Sequence, residues 1–352
     1  MTATTSTGLR LDAAIDKTLR LIDGCATPIP GRYKRLRAAP PDPQPEWTDP
    51  YGTSNVVNLL TTMNLMPDDP ERRLHFGDAI ATGQDPETGL FVGWPWTQIK
   101  PHHPIHSTAH SVAALRLLAR RPNHPLRALE PYATPDGIVG LLESLDWIAA
   151  PWGQSHLGAG AYAALRMAHD FESPAAADAW EDAYFDWLTS NFDPDTGLLR
   201  RGALPGQVGE SKPIFHHVAS TFHYLFNFEN ARRPLPYPEA MIDTLLAIHA
   251  EDAWPGLPSP LGFVTIDWVY CVTRPLRQCG HRYAEARAAL IDVAHRLHAA
   301  VETIDDKDPE AWPDLHQVLG TWSAFAELQQ AIPGLLRSPQ PLQLVLDRRP
   351  FI

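Results

Sequence analysis

Residues 84–90 read Gln84-Asp85-Pro86-Glu87-Thr88-Gly89-Leu90, and residues 192–198 read Phe192-Asp193-Pro194-Asp195-Thr196-Gly197-Leu198. Each copy runs on to a histidine, His106 and His216, at offsets of 21 and 23 residues from the Asp. Wording that returns in this way is an internal repeat. Asp-Pro-x-Thr-Gly carries turn chemistry: Pro fixes φ, the Asp carboxylate accepts from backbone N–H groups just ahead, and Gly accepts a positive φ.

Both copies fall between two stretches of helical periodicity, and the same couple recurs along the chain. Apolar residues at three- and four-residue spacing predict helices at about 10–23 with 52–64, 70–83 with 105–120, 136–148 with 154–169, 174–191 with 214–230, 237–250 with 262–277, and 281–303 with 313–331. The first helix of a couple is charged on one side, as in Trp180-Glu181-Asp182-Ala183-Tyr184-Phe185-Asp186-Trp187, which suits an outer ring. The second is rich in Ala, Leu, Gly and Tyr, which suits a buried inner one. Leu342 to Leu346 reads as a short extended strand in a C-terminal tail from about 338.

The connection inside a couple is often long, at about 24–51, 84–104, 192–213 and 251–261, whereas the return connection is short. Long loops therefore gather at one end, unlike an open solenoid, whose loops are short on both sides and whose period is regular. The segment Gln84 to Leu118, with its Q-D-P-x-T-G-L-F turn and its His-Ser-Thr-Ala-His helix start, resembles the hairpin repeat of the (α/α)6 toroids. That superfamily takes in many glycoside hydrolases, several polysaccharide lyases and sugar 2-epimerases, and is related in architecture to terpenoid cyclases and protein prenyltransferase β-subunits. The resemblance implies an all-α fold with residues 1–352 forming one toroid of six helical hairpins, carrying a Pro-rich loop at about 24–50. It names no single family, and a fold does not give a function.

Composition narrows the classes. With 44% hydrophobic and 20% charged residues the 352-residue chain can bury a sizeable core. A net charge of -12 works against a nucleic-acid partner, since the only basic run is Arg32, Lys34, Arg35 and Arg37. Cys25, Cys271 and Cys279 have no metal-ligand spacing and cannot all pair, which suits reduced thiols in a cytoplasm. The first nine residues hold no apolar signal core, and no apolar run approaches the ~20 residues of a membrane span. The 35 prolines of so helical a chain belong in loops and at helix starts.

If the long loops share one end, the first turn of every inner helix points into one funnel. Those turns carry Tyr51 and Asn55; His106 and His110; Trp152 and His156; His216 and His217; Asp267, Trp268, Tyr270 and Arg274; and Trp312 and His316. A helix-start histidine ordinarily just bonds nearby backbone, but several converging on one funnel suggest more. The helix N-terminus disfavours imidazolium, so such histidines stay neutral, available as bases. His106 and His110 share a helical face and could chelate a metal, yet no HExxH glutamate and no third ligand accompany them, so neither metal nor cofactor is assigned. Asp267, set between Ile266 and Trp268, either caps its helix or serves as an acid whose pKa the apolar setting raises. Glu210 lies in the long loop before His216. The loop tryptophans, Trp94, Trp96, Trp152 and Trp312 among them, offer faces on which sugar rings stack.

The expected function is therefore that of a carbohydrate-active enzyme whose partner is a small-molecule sugar or oligosaccharide. As a glycoside hydrolase it would use Asp267 and Glu210 as the acid/base pair. As an epimerase or lyase it would use His216 or His106 as a neutral base, with Tyr51, Tyr270 or Arg274 stabilising the developing charge. A terpenoid-type cyclase, which would need an acid cluster such as DxDD that the sequence lacks, and a non-catalytic ligand-binding toroid complete the alternatives. The sequence does not bear on oligomeric state.

Overall fold

The structure, a computed structural model, describes residues 8–37, 49–92, 104–201, 213–251 and 261–352. It is all-helical: α1 (Asp12–Cys25), α2 (Pro50–Thr62), α3 (Pro70–Thr82), α4 (Pro104–Leu117), α5 (Pro135–Ser144), α6 (Pro151–Ala168), α7 (Pro174–Asn191), α8 (Ile214–Ala231), α9 (Pro238–Ala250), α10 (Phe263–Cys279), α11 (Tyr283–Glu302) and α12 (Leu315–Ala331). Pro50, Pro70, Pro135, Pro151, Pro174 and Pro238 open their helices, where a missing N–H costs nothing. Asp49, Asp69, Thr134, Ser173 and Asp314 cap helices by accepting from first-turn N–H groups. Extended structure is slight: β1 (Leu9–Arg10) pairs in parallel with β2 (Leu336–Arg337).

The even-numbered helices pack on one another in chain order, α2 on α4, α4 on α6, α6 on α8, α8 on α10 and α10 on α12, and α12 packs back on α2. That circuit is closed. The odd-numbered helices lie against it, α3 on α2 and α4, α5 on α6, α9 on α10, and α11 on α10 and α12. Burial follows the same division. Every residue of α2 except Leu60 is buried, whereas α7 buries only Trp180, Tyr184, Phe185, Trp187 and Leu188 on one stripe.

The repeated turns are built alike. Asp85 N–H donates to Leu90 O at 2.9 Å and Asp193 N–H to Leu198 O at 2.8 Å, and in each the Asp carboxylate accepts from the backbone two residues on. Gly89 and Gly197 hold φ of 77° and 68°. A Cβ at Gly197 would stand 2.4 Å from the Met241 backbone nitrogen, so that position also needs glycine for space. Each turn then docks onto its inner helix through a threonine: Phe91 N–H donates to Thr108 Oγ1 and Leu199 N–H to Thr221 Oγ1, both at 2.9 Å. Two further connections dock in the same way, Tyr33 N–H on Thr53 at 3.2 Å and Gly262 N–H on Thr321 at 2.9 Å. The threonines set a structural register different from the one the sequence suggests. Counted from them, His110 corresponds to His223, while His106 and His216 are not equivalent.

The tail departs from expectation. Leu342 to Leu346 form no strand, because their N–H groups go to helices instead: Leu342 N–H to Gln329 Oε1 and Gln343 N–H to Thr62 O, both at 2.8 Å, before a 3-10 turn at Val345–Asp347. Beyond that turn the chain enters the space enclosed by the even-numbered helices. Asn227 of α8 donates to Pro350 O at 2.9 Å, Arg349 bonds Asn58 of α2, and Arg349, Phe351 and Ile352 are all buried.

Candidate functional site

At the N-terminal end of the even-numbered helices lies a cavity of about 440 Å³. Five histidines line it, His106, His156, His216, His223 and His316, together with Asp267, Trp152, Phe222, Phe263 and Ile352. All but Ile352 come from α4, α6, α8, α10 and α12, and the cavity brings together His106, His156, His216, Asp267 and His316. The rings are close, with centroids 4.8 Å apart for His106 and His156, 5.7 Å for His106 and His316, and 5.7 Å for His156 and His223. Trp152 and His216, 5.9 Å apart and partly exposed, stand at the mouth.

Asn55 and Tyr51 lie just behind the wall and act on it through His316. Asn55 Nδ2 donates to Tyr51 O at 2.9 Å, which fixes the amide so that Oδ1 faces His316 Nδ1 at 3.0 Å. An amide oxygen only accepts, so His316 carries its proton on Nδ1, and in the neutral ring Nε2 holds a lone pair. Tyr51 Oη, 2.8 Å from that Nε2, is then the donor. Burial raises the Tyr51 phenol well above its ordinary range, so it remains protonated. The Arg35 guanidinium, held bidentately by Asp314, sits over the Tyr51 ring at 5.0 Å and holds it in place.

His223 has its tautomer set by the same logic. Ser155 donates its hydroxyl proton to Trp152 O at 2.9 Å, so its oxygen accepts from His223 Nδ1 at 2.8 Å, leaving the lone pair on Nε2. Sequence reasoning missed His223 because it sought histidines in the first turn alone. A signal was present: Thr53-x-Asn55, Thr108-x-His110, Thr221-x-His223, Thr265-x-Asp267 and Thr321-x-Ser323 repeat one pattern in five inner helices. In four of the five the threonine receives the connection, and the residue two further on is buried and polar.

Asp267 is not a helix cap. Gly262 occupies the N-cap of α10, and Asp267 comes in the second turn, 1% exposed, with neither carboxylate oxygen bonded to any described residue. Burial without a described partner raises its pKa well above the ordinary carboxylate value, which favours the protonated, neutral form of a carboxyl that lines the cavity.

Other expected residues are elsewhere. His110 is fully buried behind the wall, its ring 4.6 Å from Tyr51 and 5.3 Å from His316. His217 lies against the Leu199–Arg200 turn, where burial first, then Arg200, lowers its pKa to about 4. Trp268 donates its indole N–H to Leu245 O at 3.0 Å, toward α9 rather than the cavity. Tyr270 is buried under the Arg274 guanidinium, 4.4 Å from its ring centre. Arg274 itself is engaged by Glu327, Glu229 and Asp347, two turns beyond Asp267, so the role of charge stabiliser expected of it does not fit its position. Trp312 is buried and does not line the cavity. Glu210, Trp94 and Trp96 lie outside the described residues. Among the described residues no cluster of three His, Cys, Asp or Glu side chains is arranged to hold a metal ion, and no helix is long and apolar enough to cross a membrane.

No protein-family model matches this chain, and no curated protein does.

Proposed function

We propose that this chain is an (α/α)6 toroid enzyme that moves protons on a small sugar or a closely related polyhydroxylated ring. The closed circuit of even-numbered helices, with the odd-numbered ones outside, supports the toroid. A cavity of about 440 Å³ falls in the roughly 300–1,000 Å³ range of small-molecule sites. The tryptophan at its mouth offers an apolar face for a ring, and its imidazoles offer hydroxyls both donors and acceptors.

The observation that carries the reaction class is the make-up of the wall. Among the described lining side chains Asp267 alone bears a carboxylate, against five histidines. Two histidines with fixed tautomers stand on different helices of the circuit: His316 on α12, bonded to Tyr51 of α2, and His223 on α8, two steps from α12 and three from α2. A neutral Nε2 on one side can take a proton from a carbon next to a carbonyl or carboxylate. His316, which lines the wall and whose ring Tyr51 and Asn55 orient from behind, can return one once protonated, while a protonated Asp267 donates a hydrogen bond to the oxygen on which charge develops. This is the chemistry of epimerisation, or of elimination if a leaving group stands at the next carbon.

A second reading is glycoside hydrolysis, favoured by the protonated state of Asp267, which is what a general acid requires. It needs a second carboxylate such as Glu210. Crystals soaked with single hexoses, hexosamines and uronic acids test the proposal. A ring bound between Trp152 and His316, with a carbon beside its carbonyl facing an imidazole nitrogen, is the expected result. Density for a ring elsewhere, with this cavity unchanged, would argue against it.

A further inference from the structure

The tail does more than close a surface. Phe351 is fully buried, its ring centroid 5.0 Å from His106 and 5.7 Å from Phe226, and Ile352 reaches the cavity wall itself. Room for this has been left in α6. A Cβ on Gly160 would come 3.3 Å from Phe351 Cε2 and 3.3 to 3.4 Å is tighter than an ordinary side-chain contact, so the helix carries glycine where the ring passes. Arg349, fully buried on the same segment, is held by Asn58 of α2, and Pro350 by Asn227 of α8. The segment is thus anchored to two opposite helices of the circuit, with its last two side chains turned toward the site.

We propose that Phe351 and Ile352 are specificity-determining residues that form the floor of the cavity and limit its ligand to about one ring, entering past Trp152 and His216. The identity of that ring as a sugar rests on the function proposed above; the floor does not. Ile352 touches the cavity and sets its depth. Phe351 supports Ile352 and holds the His106 ring edge-on.

Two measurements on the full chain separate these points. The first is the crystal structure of Ile352→Ala, with Ile352→Val as a milder variant should the first fold poorly. The cavity is expected to deepen in proportion to the side chain removed, with Phe351 and Arg349 in place; a cavity of parental volume, or a tail relocated outside the circuit, overturns the floor. The second is calorimetric binding of glucose, maltose and maltotriose to parent and variants. Ile352→Ala is expected to improve the disaccharide relative to the monosaccharide on the order of tenfold, and Ile352→Trp, which fills the cavity, to abolish binding of all three while the chain still unfolds in one cooperative transition. A deepened cavity with the same preference as the parent overturns the specificity role. A deepened cavity with no sugar bound by any of the proteins upholds the floor and counts against the sugar reading alone.

Discussion

The Tyr51 hydroxyl stands 2.8 Å from Nε2 of His316, and the opposite nitrogen of that ring is fixed 3.0 Å from Asn55 Oδ1. Two residues one helical turn apart and a third distant in sequence therefore form one directed chain, phenol to imidazole to amide. Removing its two ends should have different consequences. Tyr51→Phe keeps the ring under Arg35 and should lose on the order of 10² to 10⁴ in turnover with little change in melting temperature. Asn55→Ala leaves a buried His316 N–H without its acceptor and should cost about 1–3 kcal/mol of stability as well as activity. Thermal unfolding and steady-state rates on the two variants decide this, and equal rate losses from a hydroxyl-retaining and a hydroxyl-lacking replacement at 51 would remove the phenol from the mechanism.

Asp267 should reveal itself through pH. Its folded pKa is raised above the unfolded value of 3.8, so the folded state holds the extra proton. Its contribution to stability is full below that unfolded value and is lost as pH rises toward the folded one. Asp267→Asn, neutral throughout, should gain stability relative to the parent across that window and have nearly no activity. Parallel stability curves for the two proteins would mean that the carboxyl is not buried and unpaired in solution.

His217 should act with the opposite sign. Its pKa falls from 6.5 to about 4 on folding, so the folded state excludes a proton that the unfolded state takes up. Stability present above pH 6.5 should decline as pH drops through that interval, by roughly 3 kcal/mol at full expression. A non-titrating His217→Gln variant should show a flatter acid limb in denaturant unfolding and keep its catalytic pH profile, since His217 is not in the cavity.

The turns predict a contrast between glycines. Gly197→Ala forces a side chain onto a φ of 68° and against the Met241 backbone, and should destabilise by more than about 1 kcal/mol. Gly140→Ala in α5 meets nothing within 4 Å and should stabilise by about 0.4–1 kcal/mol. Chemical denaturation of both variants checks the pair.

What the sequence made legible follows from where its signals are local. Helical periodicity and proline placement are local, so the twelve α-helices among the described residues were readable within a few residues, and the two Asp-Pro-x-Thr-Gly turns named themselves. First-turn reading also found His106, His156, His216 and His316. It failed where a side chain's direction depends on the partner helix: Trp268 and His217 sit in the right turns but point outward, and Arg274 is drawn off by Glu327 and Asp347. His223, two turns deeper than His216, is marked only by comparing the inner helices, through the repeated threonine two residues before it. Nothing local says that Phe351 and Ile352 return through the ring, since that path depends on Gly160, Asn58 and Asn227 in three other helices.

The central claim, that this cavity moves protons to and from carbon, is tested most directly by incubating the protein with a panel of aldoses, N-acetylhexosamines and uronic acids in deuterated water and following each by proton NMR. The account predicts that at least one of them exchanges the hydrogen on the carbon beside its carbonyl or carboxylate, with a rate that Asp267→Asn and Tyr51→Phe each reduce by on the order of 10² or more. Cleavage of a glycoside by the parent protein, with no carbon-bound hydrogen exchanged in any sugar of the panel, would contradict it.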